Sequence, residues 1–149
     1  MEMTTPTVTI RTITPDDYDS LVELWSVSGL EFQIRGRESR EAILRHLKQF
    51  PGLSFVAIAD GQLVGTVLGT HDGRKGWINR LAVRPDFRSR GVEAALVKAC
   101  DAAIRAEGME IVAALVEADN EASAALFRKL GYSDAIEVRY FRKLNHEQA

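Results

Sequence analysis

The sequence predicts a mixed α/β or α+β domain: a central mixed sheet flanked by helices, in the order β-α-α-β-β-β-α-β-α-β-β. Three observations lead there. Short apolar runs of strand character are interleaved with longer runs of helical period instead of being grouped apart. Asp60-Gly61 separates two apolar runs, and both residues tolerate positive φ, which marks a tight hairpin. Leu81-Ala82-Val83 is an apolar strand end that passes through a basic turn into a helix.

In chain order, Val8 to Ile13 alternates apolar with polar residues, as a half-buried strand does. Thr14-Pro15 opens a helix, with Thr14 as N-cap and Pro15 where its missing N–H costs nothing. Tyr18, Leu21, Val22 and Trp25 share one face of that helix, which ends by Gly29. Leu30 to Glu38 has no pattern. A second helix spans 39–49 with Ile43, Leu44 and Leu47 inward, and Pro51-Gly52 stops it. Strands are expected over 54–59, 62–70 and 77–83, the last ended by Arg84-Pro85. A helix over 88–107 carries an inward stripe of Val92, Ala95, Leu96, Ala99 and Ala103, and Gly108 suits its C-terminal end. A strand over 111–116, a helix over 120–130 ended by Gly131, and one or two strands within 132–144 complete the expectation. Asn145 to Ala149 reads as a loose tail.

A chain of 149 residues suits one domain over 1–149, able to bury roughly two thirds of its extended surface. The 46% hydrophobic and 27% charged fractions are those of a soluble protein, and no apolar run approaches the ~20 residues of a membrane span. The first six residues lack the basic start and apolar core of an export signal. Cys100 is the only cysteine, which rules out an internal disulfide and fits a reducing cytoplasm. The net charge of −2 argues against a general nucleic-acid binder, yet it conceals an uneven distribution. Arg74, Lys75, Arg80, Arg84, Arg88 and Arg90 face only Asp86, a local excess of five positive charges that leaves seven net negative elsewhere. The six basic residues cluster around one helix entry with only Trp77 and Phe87 among them, so a small polyanion suits the cluster better than a nucleic acid does.

The chemistry concentrates in the stretch from Leu81 to Leu96, a strand, a basic turn and a helix start holding Arg88, Arg90 and Gly91. A helix N-terminus presents unpaired N–H groups and positive dipole charge, and glycine lets a diphosphate approach the backbone. Neighbouring arginines add charge-assisted bonds to phosphate oxygens. The Arg88-x-x-Gly91 spacing after Leu-Ala-Val-x-Pro resembles the acetyl-CoA motif of the GNAT superfamily of N-acetyltransferases, commonly Gln/Arg-x-x-Gly-x-Gly/Ala. A second stretch, Asn120-Glu121-Ala122-Ser123-Ala124-Ala125-Leu126-Phe127-Arg128-Lys129-Leu130-Gly131-Tyr132, is similar to that superfamily's Asn-x-x-Ala-x-x-Leu-Tyr-x-x-Leu-Gly-Phe. The order of elements agrees from Val8 to Leu144.

The resemblance implies the acyl-CoA N-acyltransferase fold and an acetyl-CoA-dependent transfer to a primary amine of a small molecule or peptide. It implies that Leu81, Ala82 and Val83 line the pantetheine arm, with backbone groups of Leu81 and Val83 pairing to it like an added strand. Amides of Arg88, Ser89, Arg90, Gly91, Val92, Glu93 and Ala94 are expected to hold the pyrophosphate. Asn120 is expected near the pantetheine or the departing thiol, although an N-cap for the last helix is an equally natural role. Phe127 is expected beside the thioester sulfur. The reading includes no metal, no membrane and no nucleic-acid partner, and leaves the chain a monomer or a homodimer.

Three positions depart from the family pattern. Glu93 stands where a Gly or Ala is usual, Phe127 replaces a tyrosine that serves as thiolate acid, and Leu115 occupies a position where peptide-acetylating relatives carry a glutamate base. The alternative acidic position on the preceding strand is Asn79. Glu117, of the same strand parity as Leu115, is the substitute base, and Tyr132 the substitute acid, with Tyr140 a further hydroxyl. Glu31 and Arg35 are candidates for reading the acceptor. The alternative function is a catalytically impaired relative that binds acyl-CoA as a sensor or interaction module. His46 and His71 lack neighbours at metal-ligand spacing, and Cys100 reads as a structural thiol.

Overall fold

The computed structural model describes residues 7–149; the first six residues, on which the reading of export rested, lie outside them. Strands β1 (Val8–Thr12), β2 (Phe55–Ala59), β3 (Gln62–His71), β4 (Lys75–Val83) and β5 (Ile111–Ala114) form one sheet in that order. The first four are antiparallel, and β5 runs parallel to β4. The expected hairpin is present, with Asp60 at φ 50° and Gly61 at φ 74° between β2 and β3.

Helices α1 (Tyr18–Ser28) and α2 (Arg40–Gln49) lie on one side of the sheet, where Leu21, Leu24, Trp25 and Ile43 pack with Val56, Leu63, Leu68 and Ala82. Helix α3 (Val92–Ala106) covers the other side, where Val92, Leu96, Val97, Cys100 and Ile104 meet Leu53, Val64, Val67 and Ile78. A Cβ at Gly76 on β4 would stand 2.0 Å from Cγ2 of Ile104, so the bare backbone there lets α3 lie close to the sheet. Helix α4 (Glu121–Lys129) follows β5 and buries Phe127 in the α3-side core.

Several boundaries differ from the expectation, each for a local reason. A 3₁₀ turn over Pro15–Asp17 precedes α1, with the Asp17 carboxylate accepting from the Thr14 amide at 2.8 Å. Helix α3 begins at Val92, not Arg88, because Arg88 is extended and Ser89 and Gly91 adopt φ of 61° and 81°. Its buried face is also rotated toward Val97, Cys100 and Ile104, which leaves Ala95, Ala99 and Ala103 half-buried. The largest difference is at the C-terminal end, where 133–149 contains no strand. The alternation Ile136, Val138, Tyr140 has strand character, but a strand also needs a ladder partner and a face to bury. Here Ile136, Tyr140 and Phe141 stay exposed, and β5 remains an edge strand with Ile111 and Leu115 open to solvent.

Candidate functional site

β4 and β5 pair only from Lys75↔Ile111 to Ile78↔Ala114. β4 then continues to Val83 with β3 on one side and, among the described residues, no strand on the other, which leaves an open backbone edge beside Asn79, Leu81 and Val83. A bulge produces this divergence: Thr66 faces Ala82 and Leu68 faces Asn79, so Val67 alone opposes both Arg80 and Leu81. Arg80 absorbs the extra residue at φ 56°, a conformation uncommon for a side chain of its size. An open edge of this kind binds extended ligands through main-chain hydrogen bonds.

The open edge leads directly into the start of α3. Pro85–Phe87 forms a 3₁₀ turn, and the left-handed Ser89 and Gly91 then redirect the chain into the helix. The first helical bond runs from Ala95 N to Gly91 O at 3.1 Å, and Gly91 offers no capping side chain. Among the described residues, the amides of Ser89 to Ala94 therefore have no acceptor. Beyond Gly91 and its chain neighbours, no heavy atom of the described residues lies within 4 Å of the space a Gly91 Cβ would occupy. Arg88 is turned back into the protein, with Nε donating to Val83 O at 3.2 Å and Nη2 to Ser28 O at 2.6 Å, which ties the turn to the end of α1. Arg90 is exposed and lies over the Phe87 ring at 5.1 Å. Glu93 is half-buried in the first turn of α3.

On the α1–α2 side, the segment 30–39 crosses to the β4 bulge. Glu38 is buried, takes the Gln33 amide at 3.1 Å, and faces two guanidinium groups: Arg37 Nε at 3.3 Å and Arg80 Nη1 at 3.6 Å. Arg80 Nη1 also donates to Glu31 O, and the guanidinium carbon lies 5.0 Å from the centre of the Trp25 ring. Burial lowers the Arg80 pKa from its usual value, against the attraction of Glu38. Sequence reasoning missed this grouping. In the sequence Glu38 only closes the unpatterned segment 30–38 and Arg80 is one of the basic residues of 74–90, and no local signal joins positions 25, 38 and 80.

Asn120 caps α4, its Oδ1 accepting from the Ser123 amide at 3.1 Å. Phe127 is 8% exposed and packs edge-on against Tyr132 with ring centres 5.1 Å apart. The Tyr132 hydroxyl donates to the Asp101 carboxylate on α3, and burial together with this bond raises its pKa well above the usual tyrosine range. The Tyr132 hydroxyl is thus engaged with Asp101 in this structure. Glu117 is exposed in the loop after β5, and Leu115 is 55% exposed. A groove lined by Trp77, Val97, Leu115, Phe127 and Tyr132 runs between α3, β5 and α4. Cys100 is fully buried on α3 with its thiol directed to Leu53 O, and burial pushes its pKa up to about 12, so it remains an inert thiol. His46 reaches Gly69 O at 3.1 Å, and His71 pairs with Glu107 at 3.0 Å. Among the described residues no group of three or more His, Cys, Asp or Glu is arranged to hold a metal, and no helix is long and apolar enough to cross a membrane.

The sequence and the fold both have counterparts among known proteins. The chain is 35% identical over 124 residues to an acetyltransferase of Pectobacterium atrosepticum, covering 83% of this chain and 86% of that protein. It is 34% identical over 125 residues to an acetyltransferase of Photorhabdus laumondii, covering 84% and 86%. Among solved structures, the PaiA N-acetyltransferase of Thermoplasma acidophilum in complex with coenzyme A superposes with a TM-score of 0.76 at 20% identity, covering 85% of this chain and 90% of that one. Ard1 of Thermoplasma volcanium superposes with a TM-score of 0.74 at 27% identity, covering 85% and 82%. An aminoglycoside N-acetyltransferase, AAC(6')-Iy, in complex with a bisubstrate analogue gives a TM-score of 0.74 at 21% identity, covering 93% and 99%. The profile of the acetyltransferase (GNAT) family matches residues 18–132, and with that match, the open β4 edge and the uncapped start of α3, the chain belongs to the GNAT family of acetyltransferases.

Proposed function

We propose that this chain is an acetyl-CoA-dependent N-acetyltransferase that acts on a primary amine of a small molecule or peptide. One observation carries the reading: the free amides of Ser89 to Ala94 continue directly from the unpaired edge of β4. Together they match an elongated ligand with a diphosphate at one end and an amide-bearing arm at the other. The residues fit that ligand, because the amides lack acceptors and Gly91 has no Cβ between them and solvent. Acetyl-CoA, when bound, supplies a thioester whose acetyl carbon a neutral amine attacks, forming a C–N bond as the C–S bond breaks.

The chain's own residues do the following. Backbone groups of Leu81 and Val83, with Ala82 between them, hold the arm. Amides of Ser89, Arg90, Gly91, Val92, Glu93 and Ala94, with the positive end of α3, hold the diphosphate. Arg90 adds charge from solvent, whereas Arg88 acts first by fixing the turn to Val83 and Ser28. Asn120 sets the start of α4, which places Phe127. Glu117 is the exposed carboxylate closest in sequence to the end of β5, and takes the amine proton directly or through water. Phe127 has no proton to give, so the thiolate is protonated by solvent.

Phe127 and the engagement of Tyr132 with Asp101 also favour a second reading, an acyl-CoA-binding relative with impaired transfer. The two readings separate in one experiment: calorimetry with acetyl-CoA alongside CoA release against a panel of amines. Binding with release supports the transferase. Binding without release on any amine supports the sensor, and absence of binding overturns both.

A further inference from the structure

Arg80 is built into the bulge of β4 in a way that the transfer reaction alone does not explain. Its Nη1 is occupied by Glu31 O and Glu38. Its Nε and Nη2 have no hydrogen-bond partner among the described residues. These two nitrogens lie on the same edge of the guanidinium and present parallel N–H bonds, the side-on fork that matches the two oxygens of a carboxylate. Trp25, whose ring underlies the guanidinium, is 0% exposed and its Nε1 is a third buried donor without an acceptor. Buried donors are rarely left unpaired, because each costs desolvation without return.

The charges agree with this geometry. Glu38 is one carboxylate shared between two guanidinium groups, 3.3 Å from Arg37 and 3.6 Å from Arg80, and Arg37 also donates to Ala149 O at 3.0 Å, so among the described residues no anion meets the Nε–Nη2 edge of Arg80. A neutral carbonyl would satisfy one donor, whereas the two oxygens of a carboxylate satisfy both arms of the fork. The strained Arg80 backbone holds this fork beside the open edge where the amide-bearing arm is read to lie. In an α-amino acid the amine is one carbon from the carboxylate, so anchoring the acid at Arg80 keeps the amine close to that edge.

We propose that Arg80, supported by Glu38 and Trp25, is a carboxylate-binding subsite, and that the acceptor is an amine carrying a nearby carboxylate, of the amino-acid class. The proposal rests on the acetyltransferase reading and names its acceptor. The fork is enclosed in the structure, so a ligand enters as the segment 30–38 shifts, and Trp25 reports the event.

The test compares the proteinogenic amino acids with their primary amides and decarboxylated amines, by CoA release at saturating acetyl-CoA and by calorimetric titration of the CoA-loaded protein. Trp25 fluorescence in a Trp77→Phe background gives a third readout. The expected result is that at least one free acid is preferred at least tenfold over its amide and its decarboxylated amine. Arg80→Lys keeps a positive charge for Glu38 but loses the fork, and is expected to abolish that preference through KM while kcat changes little. Circular dichroism checks its fold, and Arg80→Gln with Glu38→Gln removes the pair together should the single variant fail to fold. Transfer to amides and decarboxylated amines as efficient as to acids overturns the subsite and leaves the transferase reading standing. Where no amine is acetylated, the transferase reading fails, and titration decides the subsite. Binding of acids but not amides, lost in Arg80→Lys, upholds it, and no selective binding overturns it.

Discussion

Helices α2 and α4 begin in the opposite way from α3. Ser39 accepts the Ala42 amide at 3.2 Å and Asn120 accepts the Ser123 amide at 3.1 Å, so a side chain of the protein occupies the first turn. At α3 the N-cap is Gly91, which has no side chain, and the amides before and after it stay open. The difference separates two uses of one physical feature. A helix start that serves only the fold satisfies its own donors, whereas a start that serves a ligand leaves them free and positions the backbone by left-handed residues.

The largest expected effect comes from removing charge at the open start. Arg88→Ala with Arg90→Ala is expected to weaken CoA binding by about tenfold or more at low salt, with the loss shrinking as salt rises. Calorimetry at two ionic strengths checks this, and Arg90→Ala alone isolates the ligand effect, because Arg88 also ties Ser28 and Val83. Unchanged affinity in the double variant would place the diphosphate elsewhere.

A glycine pair sharpens the comparison. Gly91 and Gly29 adopt nearly the same conformation, φ 81° and φ 80°, and beyond their chain neighbours neither has an atom of the described residues within 4 Å of its added Cβ. Replacing either by alanine is therefore a backbone cost of about 1–2 kcal/mol. Both variants should lose a few degrees in Tm, but only Gly91→Ala should also weaken CoA binding. Equal CoA affinity in the two variants would remove Gly91 from the site.

The capped starts predict the reverse. Ser39→Ala is expected to cost about 1 kcal/mol of stability in denaturant titration and to leave CoA affinity unchanged. Asn120→Ala should cost a similar amount. Any CoA loss beyond that shared with Ser39→Ala measures a direct contact of Asn120 with the ligand.

Smaller still is Glu93→Ala, expected to tighten CoA about fivefold, since repulsion between this half-buried carboxylate and a phosphate is on the order of 1 kcal/mol. A favourable interaction of Glu93 with the helix dipole opposes the gain. Weaker binding in a folded Glu93→Ala protein would show that Glu93 supports the site.

At the other end of α2, burial lowers the His46 pKa below its usual value despite the bond to Gly69 O. The unfolded chain then binds a proton more readily than the folded one. The contribution of neutral His46 is complete above about pH 6.5 and is lost as pH falls through the lower folded value. Denaturant titrations at pH 7 and pH 5 should show this loss, and His46→Gln should flatten the slope.

Sequence patterning identified the elements that bury a face or obey a local rule. The Asp60-Gly61 turn, the Trp25 face of α1, the Ser39 start of α2 and the Gly131 end of α4 all follow from residues within a few positions of one another. So does the turn at Gly91, whose open amides are adjacent in sequence. The amino acids alone therefore determined the mixed α/β class, the strand-turn-helix unit at 81–96 and the family resemblance, because each rests on short-range chemistry. Only the tertiary structure decided the rest. The strand pattern at 136–140 forms no strand, since pairing needs an edge brought from elsewhere. The α3 start moved to Val92 because two left-handed residues and the Arg88 bonds to Val83 and Ser28 bend the chain before it. Trp25, Glu38 and Arg80 meet only because a bulge in β4 turns Arg80 onto α1, and the charge they share depends on burial, which distant parts of the chain create together.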